Sequence, residues 1–351
     1  MDGLVSRMKK TFVIAEAGVN HNGDENLALR LVETAARAGA DAVKFQTFSA
    51  EKLVAPGAKK AEYQARETGD GDQYSMLKAL ELSEAVHRRI YERCSVLGIE
   101  FMSTPFDEDA ADFLLALGMR RIKVPSGEIT NEPFLEFLAA KGVPMILSTG
   151  MADLDEIRRA VAVVGAARER AGLEGSLADV LTILHCTSNY PAAYRDVNLR
   201  AMQTIAQETG LPVGYSDHTA GLAVSTAAVA MGATVIEKHF TLDRDLPGPD
   251  HKASLSPDEL GALVRQIRDV DEALGSDEKC PTKSELPVRA LVRRSVTTAR
   301  PIQAGAVLGA ADLALLRPGT GIAPADLARV VGRVACRDLP AGKTLQWTDL
   351  A

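Results

Sequence analysis

The chain has 351 residues, of which 46% are hydrophobic and 25% charged, with a formal net charge of −7. These values exclude a largely disordered or collagen-like chain and leave room for one large domain, or a large domain and a small one. The negative balance and the lack of a basic block argue against a nucleic-acid binder, although a local site for a small anion remains compatible with them.

No apolar run reaches the roughly 18 residues of a membrane span. The longest near the start, 12–19, is interrupted by Glu16 and lacks a small-residue cleavage site, so neither membrane insertion nor secretion is expected and the expected location is the cytoplasm. Met8-Lys9-Lys10 leads straight into that run and reads as the natural start, with the peptide before it dispensable. Cys94, Cys186, Cys280 and Cys336 lie far apart without a C-x-x-C, which suits reduced thiols better than a zinc knot or a disulfide framework.

Eight short apolar runs follow in chain order, at 13–15, 42–45, 100–102, 121–124, 145–147, 181–184, 213–215 and 234–236. Between them lie amphipathic stretches such as 26–38, 84–97 and 154–164. Strand and helix alternating eight times predict a (β/α)8 TIM barrel. A doubly wound open sheet is the competing fold, but it wants a Gly-rich phosphate loop after its first strand. Glu16-Ala17-Gly18-Val19-Asn20-His21-Asn22-Gly23 is not G-x-G-x-x-G. The polar connection 48–82 is long enough to be a functional lid or a mobile segment.

The pattern changes after Gly275. We expect a catalytic barrel over 1–275, a linker over 276–292 and a small domain over 293–351. In the small domain the pattern R-x-[I/L]-x-A-G-x-x-L-x-x-x-D-L begins at Arg300 and again at Arg337, which suggests two pseudo-symmetric halves.

Catalytic groups of barrel enzymes sit at the C-terminal ends of the strands. Here every expected strand ends in polar residues: Glu16; Lys44 and Gln46; Ser103 and Thr104; Lys123 and Ser126; Ser148, Thr149 and Gly150; His185, Thr187 and Ser188; Ser216, Asp217 and His218; Glu237, Lys238 and His239. Alternate strand residues share a face, so Lys44 groups with Gln46, Ser216 with His218, and Glu237 with His239. The last two strands of a closed barrel are neighbours, and His218 and His239 there can meet at one Mn²⁺-type ion whose remaining positions go to water and substrate. His185 is open between a structural hydrogen bond and catalysis.

Lys44 and Lys123 lie in apolar strands and need a partner. Either each pairs with Glu16 or Glu128, or they form a phosphate and carboxylate cradle with Thr104, Ser126-Gly127 and Ser148-Thr149-Gly150. The stiff turn Leu246-Pro247-Gly248-Pro249-Asp250-His251 is either a plain loop or an arm that aims Asp250 at a hydroxylated ligand. Arg317 opens another stiff turn, Pro318-Gly319-Thr320-Gly321.

Several ordered segments resemble the bacterial sialic acid (N-acetylneuraminate and related nonulosonate) synthases. They are the segment from Ala15 to Gly23, Val43-Lys44-Phe45-Gln46-Thr47, Ser103-Thr104-Pro105-Phe106, Pro125-Ser126-Gly127-Glu128, Leu147-Ser148-Thr149-Gly150-Met151, Tyr215-Ser216-Asp217-His218-Thr219, Glu237-Lys238-His239-Phe240-Thr241 and Gly248-Pro249-Asp250-His251. The resemblance runs from about Thr11 to the end, where the tail resembles the family's antifreeze-like (SAF) domain with Arg317-Pro318-Gly319 as its signature.

The resemblance implies a TIM barrel followed by a SAF domain, in a domain-swapped homodimer. It implies condensation of phosphoenolpyruvate with open-chain N-acetylmannosamine and water to give N-acetylneuraminate and phosphate. The alternatives are an N,N'-diacetyllegionaminate synthase using 2,4-diacetamido-2,4,6-trideoxymannose, or a non-catalytic sugar-binding protein on the same scaffold. It implies a divalent metal, Mn²⁺ first and Mg²⁺ or Co²⁺ after it, held by His218 and His239.

By the same resemblance, Lys44, Thr104, Lys123, Ser126, Ser148, Ser188 and Ser216 would hold phosphoenolpyruvate. Gln46, Tyr190 and Asp250 would contact the sugar, Arg317 would reach the partner subunit's site, and Glu16 and Glu237 would be the carboxylates nearest the chemistry. Asn189 departs from the family, which often carries glutamate before Tyr190-Pro191, and this bears on substrate preference.

Overall fold

The computed structural model describes residues 10–351, so the expected start at Met8 and the peptide before it lie outside the described residues. Eight parallel strands form one sheet: β1 (Phe12–Gly18), β2 (Ala42–Thr47), β3 (Glu100–Pro105), β4 (Ile122–Val124), β5 (Met145–Ser148), β6 (Leu181–Cys186), β7 (Val213–Asp217) and β8 (Val235–His239). Their order is β3-β2-β1-β8-β7-β6-β5-β4, with β3 lying beside β4, so the sheet wraps into a nearly closed barrel. All eight expected runs are strands, and the doubly wound sheet is excluded.

The strands alternate between two surroundings because successive side chains point to opposite faces. Val13, Ala15, Val43, Phe45, Phe101, Ile122, Val124, Leu147, Ile183, Tyr215 and Ile236 face outward into the main apolar core. That core is completed by helices such as Glu25–Ala38, which buries Ala28, Leu31, Val32 and Ala35 on one stripe. Most barrel helices start on side-chain caps, with Asp24, Ser83, Asp107 and Asn131 each accepting a backbone N–H. Asp153 and Ser256 form full capping boxes.

Inside the barrel, Ile14, Ala42, Met102, Ile146, Leu184 and Val235 form an apolar plug. Two residues further along the same strands stand Glu16, Lys44, Thr104, Ser148, Cys186 and Glu237. The strand period therefore stacks a polar layer directly on the plug, at the end where the βα connections emerge.

The connection between β2 and β3 is not a bare loop. It holds three short helices, Ala50–Leu53, Glu62–Thr68 and Gln73–Lys78. The first and third rest on a satellite apolar cluster in which Val19, Phe48 and Leu80 meet Leu53, Met76, Leu77 and Phe106.

The chain divides into two compact units, one ending at Gly275 and one running from Ser276 to Ala351. The second unit opens with the helix Glu285–Val292 and carries an antiparallel pair, β9 (Ser295–Thr298) with β10 (Leu313–Leu316). Its internal repeat has a structural counterpart. Arg300 donates to Asp312 while Asp312 accepts from Gly309 N, and Arg337 pairs with Asp349 while Asp349 accepts from Gln346 N. Ile302 and Leu339, equivalent positions of the two copies, bridge each other antiparallel. Among the described residues no helix is long and apolar enough to cross a membrane.

Candidate active site

A cavity of about 540 Å³ opens over the polar layer. Its floor and walls come from β1 (Glu16), β2 (Lys44, Gln46), β3 (Thr104), β4 (Lys123, then Ser126), β5 (Ser148), β6 (Cys186, then Ser188 and Tyr190), β7 (Ser216, then His218) and β8 (Glu237, His239). All eight strands contribute, and the period of two decides which residues do. Ser103, Thr149, Asp217 and Lys238 point the other way. Ser103 bonds Thr47, Thr149 bonds the Leu184 carbonyl, and Asp217 pairs with Lys238 outside the barrel at 2.9 Å.

Four charged side chains are buried together in the floor. Lys44 pairs with Glu16, lies 3.6 Å from Glu237 and donates to Thr104 Oγ1 at 2.9 Å. Lys123 stands 3.5 Å from Glu237, whose Oε1 also accepts from Ser216 at 2.9 Å. Both lysines therefore find carboxylates, but Glu128 is not one of them; it bonds Asn131 on the rim.

Burial alone would raise the Glu237 carboxyl, but Lys123 and Lys44 outweigh it and hold the group at about 2. Burial pushes Glu16 up to about 7, with Lys44 offsetting part of that and the Glu237 charge adding to it. Burial works against the Lys44 ammonium too, and the two carboxylates more than compensate. Glu237, faced by two lysines and a serine, is the fixed anion of the pair. Glu16 is the poised member, and among the described residues nothing but Lys44 bonds its oxygens.

Next to Glu16, whose Oε1 flanks Gly18 together with the His239 ring, the imidazoles of His218 and His239 stand 5.5 Å apart, centroid to centroid. His218 Nδ1 donates to the Thr187 carbonyl at 2.8 Å, which leaves the Nε2 lone pair free. His239 Nδ1 is buried, with no hydrogen-bond partner among the described residues. Burial lowers His218 to about 4 and, together with the His218 ring, drives His239 well below its usual value. Two neutral imidazoles with unengaged nitrogens suit a divalent ion of the Mn²⁺ type. Among the described residues no cluster of three or more His, Cys, Asp or Glu side chains forms a metal site, so water and substrate oxygens must complete the coordination of any such ion.

Ser126, Gly150 and Cys186 form a tight corner. Gly150 N donates to Ser126 Oγ at 2.9 Å, and Ser126 Oγ lies 3.1 Å from Cys186 Sγ. A Cβ on Gly150 would overlap Ser188 Oγ, Cys186 Sγ and Ser126 Oγ, so only glycine lets these donors converge. With Lys44 and Lys123 beside it, this corner is built for an oxygen-rich anion.

His185, Asp250 and Arg317 are also absent from the cavity lining. His185 faces outward and donates Nε2 to the Val197 carbonyl at 2.7 Å, which makes it a structural tie. Asp250 is buried just outside the lining, where burial raises it to about 6 and its charge acts on Tyr63 and Tyr190. Arg317 belongs to the second unit and is exposed there.

Sequence reasoning missed Cys186 and the roof. Cys186 follows Leu184 at the strand period, a signal that was present. Leu53, Val54, Tyr63, Gln64, Gln73 and Leu77 come from the β2–β3 connection, whose length was suggestive but whose inward residues have no periodic mark.

Comparison with known proteins gives consistent relatives. The model of the NeuB family matches residues 31–279, and that of the SAF domain matches residues 293–351. The chain is 57% identical to an N,N'-diacetyllegionaminic acid synthase of Legionella pneumophila, over 97% of this chain and 94% of that one. It is 46% identical to the Campylobacter jejuni protein of the same name, over 94% and 97%. Among solved structures, an N-acetylneuraminic acid (sialic acid) synthetase of Leptospira borgpetersenii, in complex with citrate, superposes with a TM-score of 0.69 at 35% identity, covering 80% of this chain and 90% of that one.

Proposed function

The chain belongs to the NeuB family, and from that premise we propose that it condenses phosphoenolpyruvate with 2,4-diacetamido-2,4,6-trideoxymannose to give N,N'-diacetyllegionaminate and phosphate in the cytoplasm. N-acetylmannosamine, the acceptor first expected from the sequence, becomes the second choice. The observation that carries this order is the 57% identity with a legionaminic acid synthase along nearly the whole chain. The buried charge layer, the anion corner and the two neutral imidazoles favour an enzyme over a non-catalytic sugar binder.

In this reading Lys44, Thr104, Lys123, Ser126, Ser148, Ser188 and Ser216 hold the phosphate and carboxylate of phosphoenolpyruvate. Gln46 and Tyr190 contact the open-chain sugar, and Asp250 takes a sugar hydroxyl. His218 and His239 would hold a divalent ion, which when bound would supply Lewis-acid polarisation of the sugar aldehyde.

The methylene carbon of phosphoenolpyruvate forms the new bond to the aldehyde carbon. The aldehyde oxygen takes up a proton and becomes a hydroxyl, water adds at C2, and as the C–O bond to phosphate breaks the new C2 hydroxyl gives up its proton to leave the ketone. Glu16 takes the proton from that water, because its oxygens carry no hydrogen bond apart from Lys44 and its pKa lies near neutrality. Glu237 stays ionised, opposes the burial that works against the Lys44 and Lys123 ammoniums, and keeps both lysines aimed at the leaving phosphate. Arg317 acts in trans on the partner's acceptor in a swapped dimer.

The test is phosphate release from phosphoenolpyruvate with each sugar, with Mn²⁺ and with EDTA. Release that needs both a sugar and the metal supports the reading. Release indifferent to EDTA removes the role given to His218 and His239.

A further inference from the structure

The roof of the cavity differs in chemistry from its floor. The floor is charged and rich in hydroxyls, whereas the roof presents Leu53, Val54, Tyr63 and Leu77, with Gln64 and Gln73 as its polar groups. Leu53 and Leu77 also pack in the satellite cluster beneath the connection. The connection is further tied by Ala50 N to Glu81 and by Tyr74 and Lys78 to Glu51. Tyr63 belongs to none of the apolar clusters, so the roof does not depend on it for support.

What holds the Tyr63 ring is the cavity wall. It stacks on Tyr190 at 5.1 Å and 27°, and Tyr190 lies 4.1 Å from the His218 ring. Tyr63 therefore stands on the side where the histidines are, and it feels the charge of Asp250.

We infer that Tyr63 is a specificity-determining residue, its ring stacked on Tyr190 to form the apolar wall against which the acceptor's C6 methyl and 4-acetamido methyl pack. This rests on the proposed function, since those two groups are what distinguish the diacetamido sugar from N-acetylmannosamine, which carries hydroxyls there. A 6-hydroxyl against an aromatic ring and aliphatic chains would lose its water without gaining a partner.

The experiment is steady-state kinetics of the full chain with each sugar, comparing wild type, Tyr63→Ala and Tyr63→Phe. Tyr63→Ala should raise the KM of the diacetamido sugar about tenfold or more, the scale of a lost aromatic contact and its buried area. The KM of N-acetylmannosamine should rise less, and that of phosphoenolpyruvate should stay within about twofold. Tyr63→Phe, which keeps the ring, should behave as wild type. An equal rise in the KM of phosphoenolpyruvate marks a general lesion and overturns the inference, as does an unchanged sugar KM. A wild-type preference for N-acetylmannosamine would instead refute the acceptor assignment, while the split between sugar and phosphoenolpyruvate would still decide the role of Tyr63.

Discussion

Asp250 carries a cost that can be measured without any substrate. Its carboxyl is buried, among the described residues no cation stands against it, and burial raises it from 3.8 to about 6. Between those values the unfolded chain gives up its proton first, so the native state loses stability as pH rises and the loss levels off above 6. The shift corresponds to about 3 kcal/mol, from roughly 1.4 kcal/mol per unit. Asp250→Asn keeps the shape and removes the charge. It should match wild type near pH 3.5 and exceed it by up to that amount at pH 8.

Urea unfolding from pH 4 to 8 reads this difference. The two units need separate probes, and Trp347, the single tryptophan, reports the second one; far-UV circular dichroism follows the barrel. The same variant should bind the acceptor sugar more weakly, because the charge that costs stability is the hydroxyl acceptor. If wild type and Asp250→Asn show the same pH slope, Asp250 is not a desolvated carboxyl and its assignment to the sugar loses its physical basis.

Four further outcomes follow from the site and the proposed dimer. Glu237→Gln leaves Lys44 and Lys123 short of their shared anion and should cost about 3–5 kcal/mol in denaturant unfolding. Glu16→Gln should cost less stability yet slow single turnover about 10²–10⁴-fold, and equal small losses in both variants would sink the assignment of the base. Gly150→Ala drives a methyl into Ser126, Cys186 and Ser188, an overpacking of about 1–3 kcal/mol; the KM of phosphoenolpyruvate should rise by about tenfold or more with the sugar KM unchanged. Mixing Arg317→Ala with His239→Ala protein should restore activity if Arg317 works in trans, and no rescue would count against a swapped dimer.

The barrel was legible because its signal is local and repeated: each strand is a short apolar run, and most are followed by a helix that starts on a side-chain cap. The floor of the site was legible for the same reason, since period two carries Ile14 to Glu16, Ala42 to Lys44 and Val235 to Glu237. What the sequence left open were questions of partner. Lys44 and Lys123 offered Glu16 and Glu128 as partners, and only the closure of β8 against β1 and β7 brings Glu237 between them. His185 was undecided until the Val197 carbonyl appeared beside it. The roof was illegible because Tyr63 and Val54 lie in short helices and turns, where neither a period of two nor of 3.6 marks the inward face.

The central claim is that this cavity joins phosphoenolpyruvate to a diacetamido 6-deoxy sugar. Its most direct test is competition between that sugar and N-acetylmannosamine for limiting Mn²⁺-loaded enzyme, with the nine-carbon acids resolved by mass. The account predicts that the diacetylated product dominates, with the larger kcat/KM. Predominance of N-acetylneuraminate, or consumption of neither sugar by folded enzyme, would contradict it.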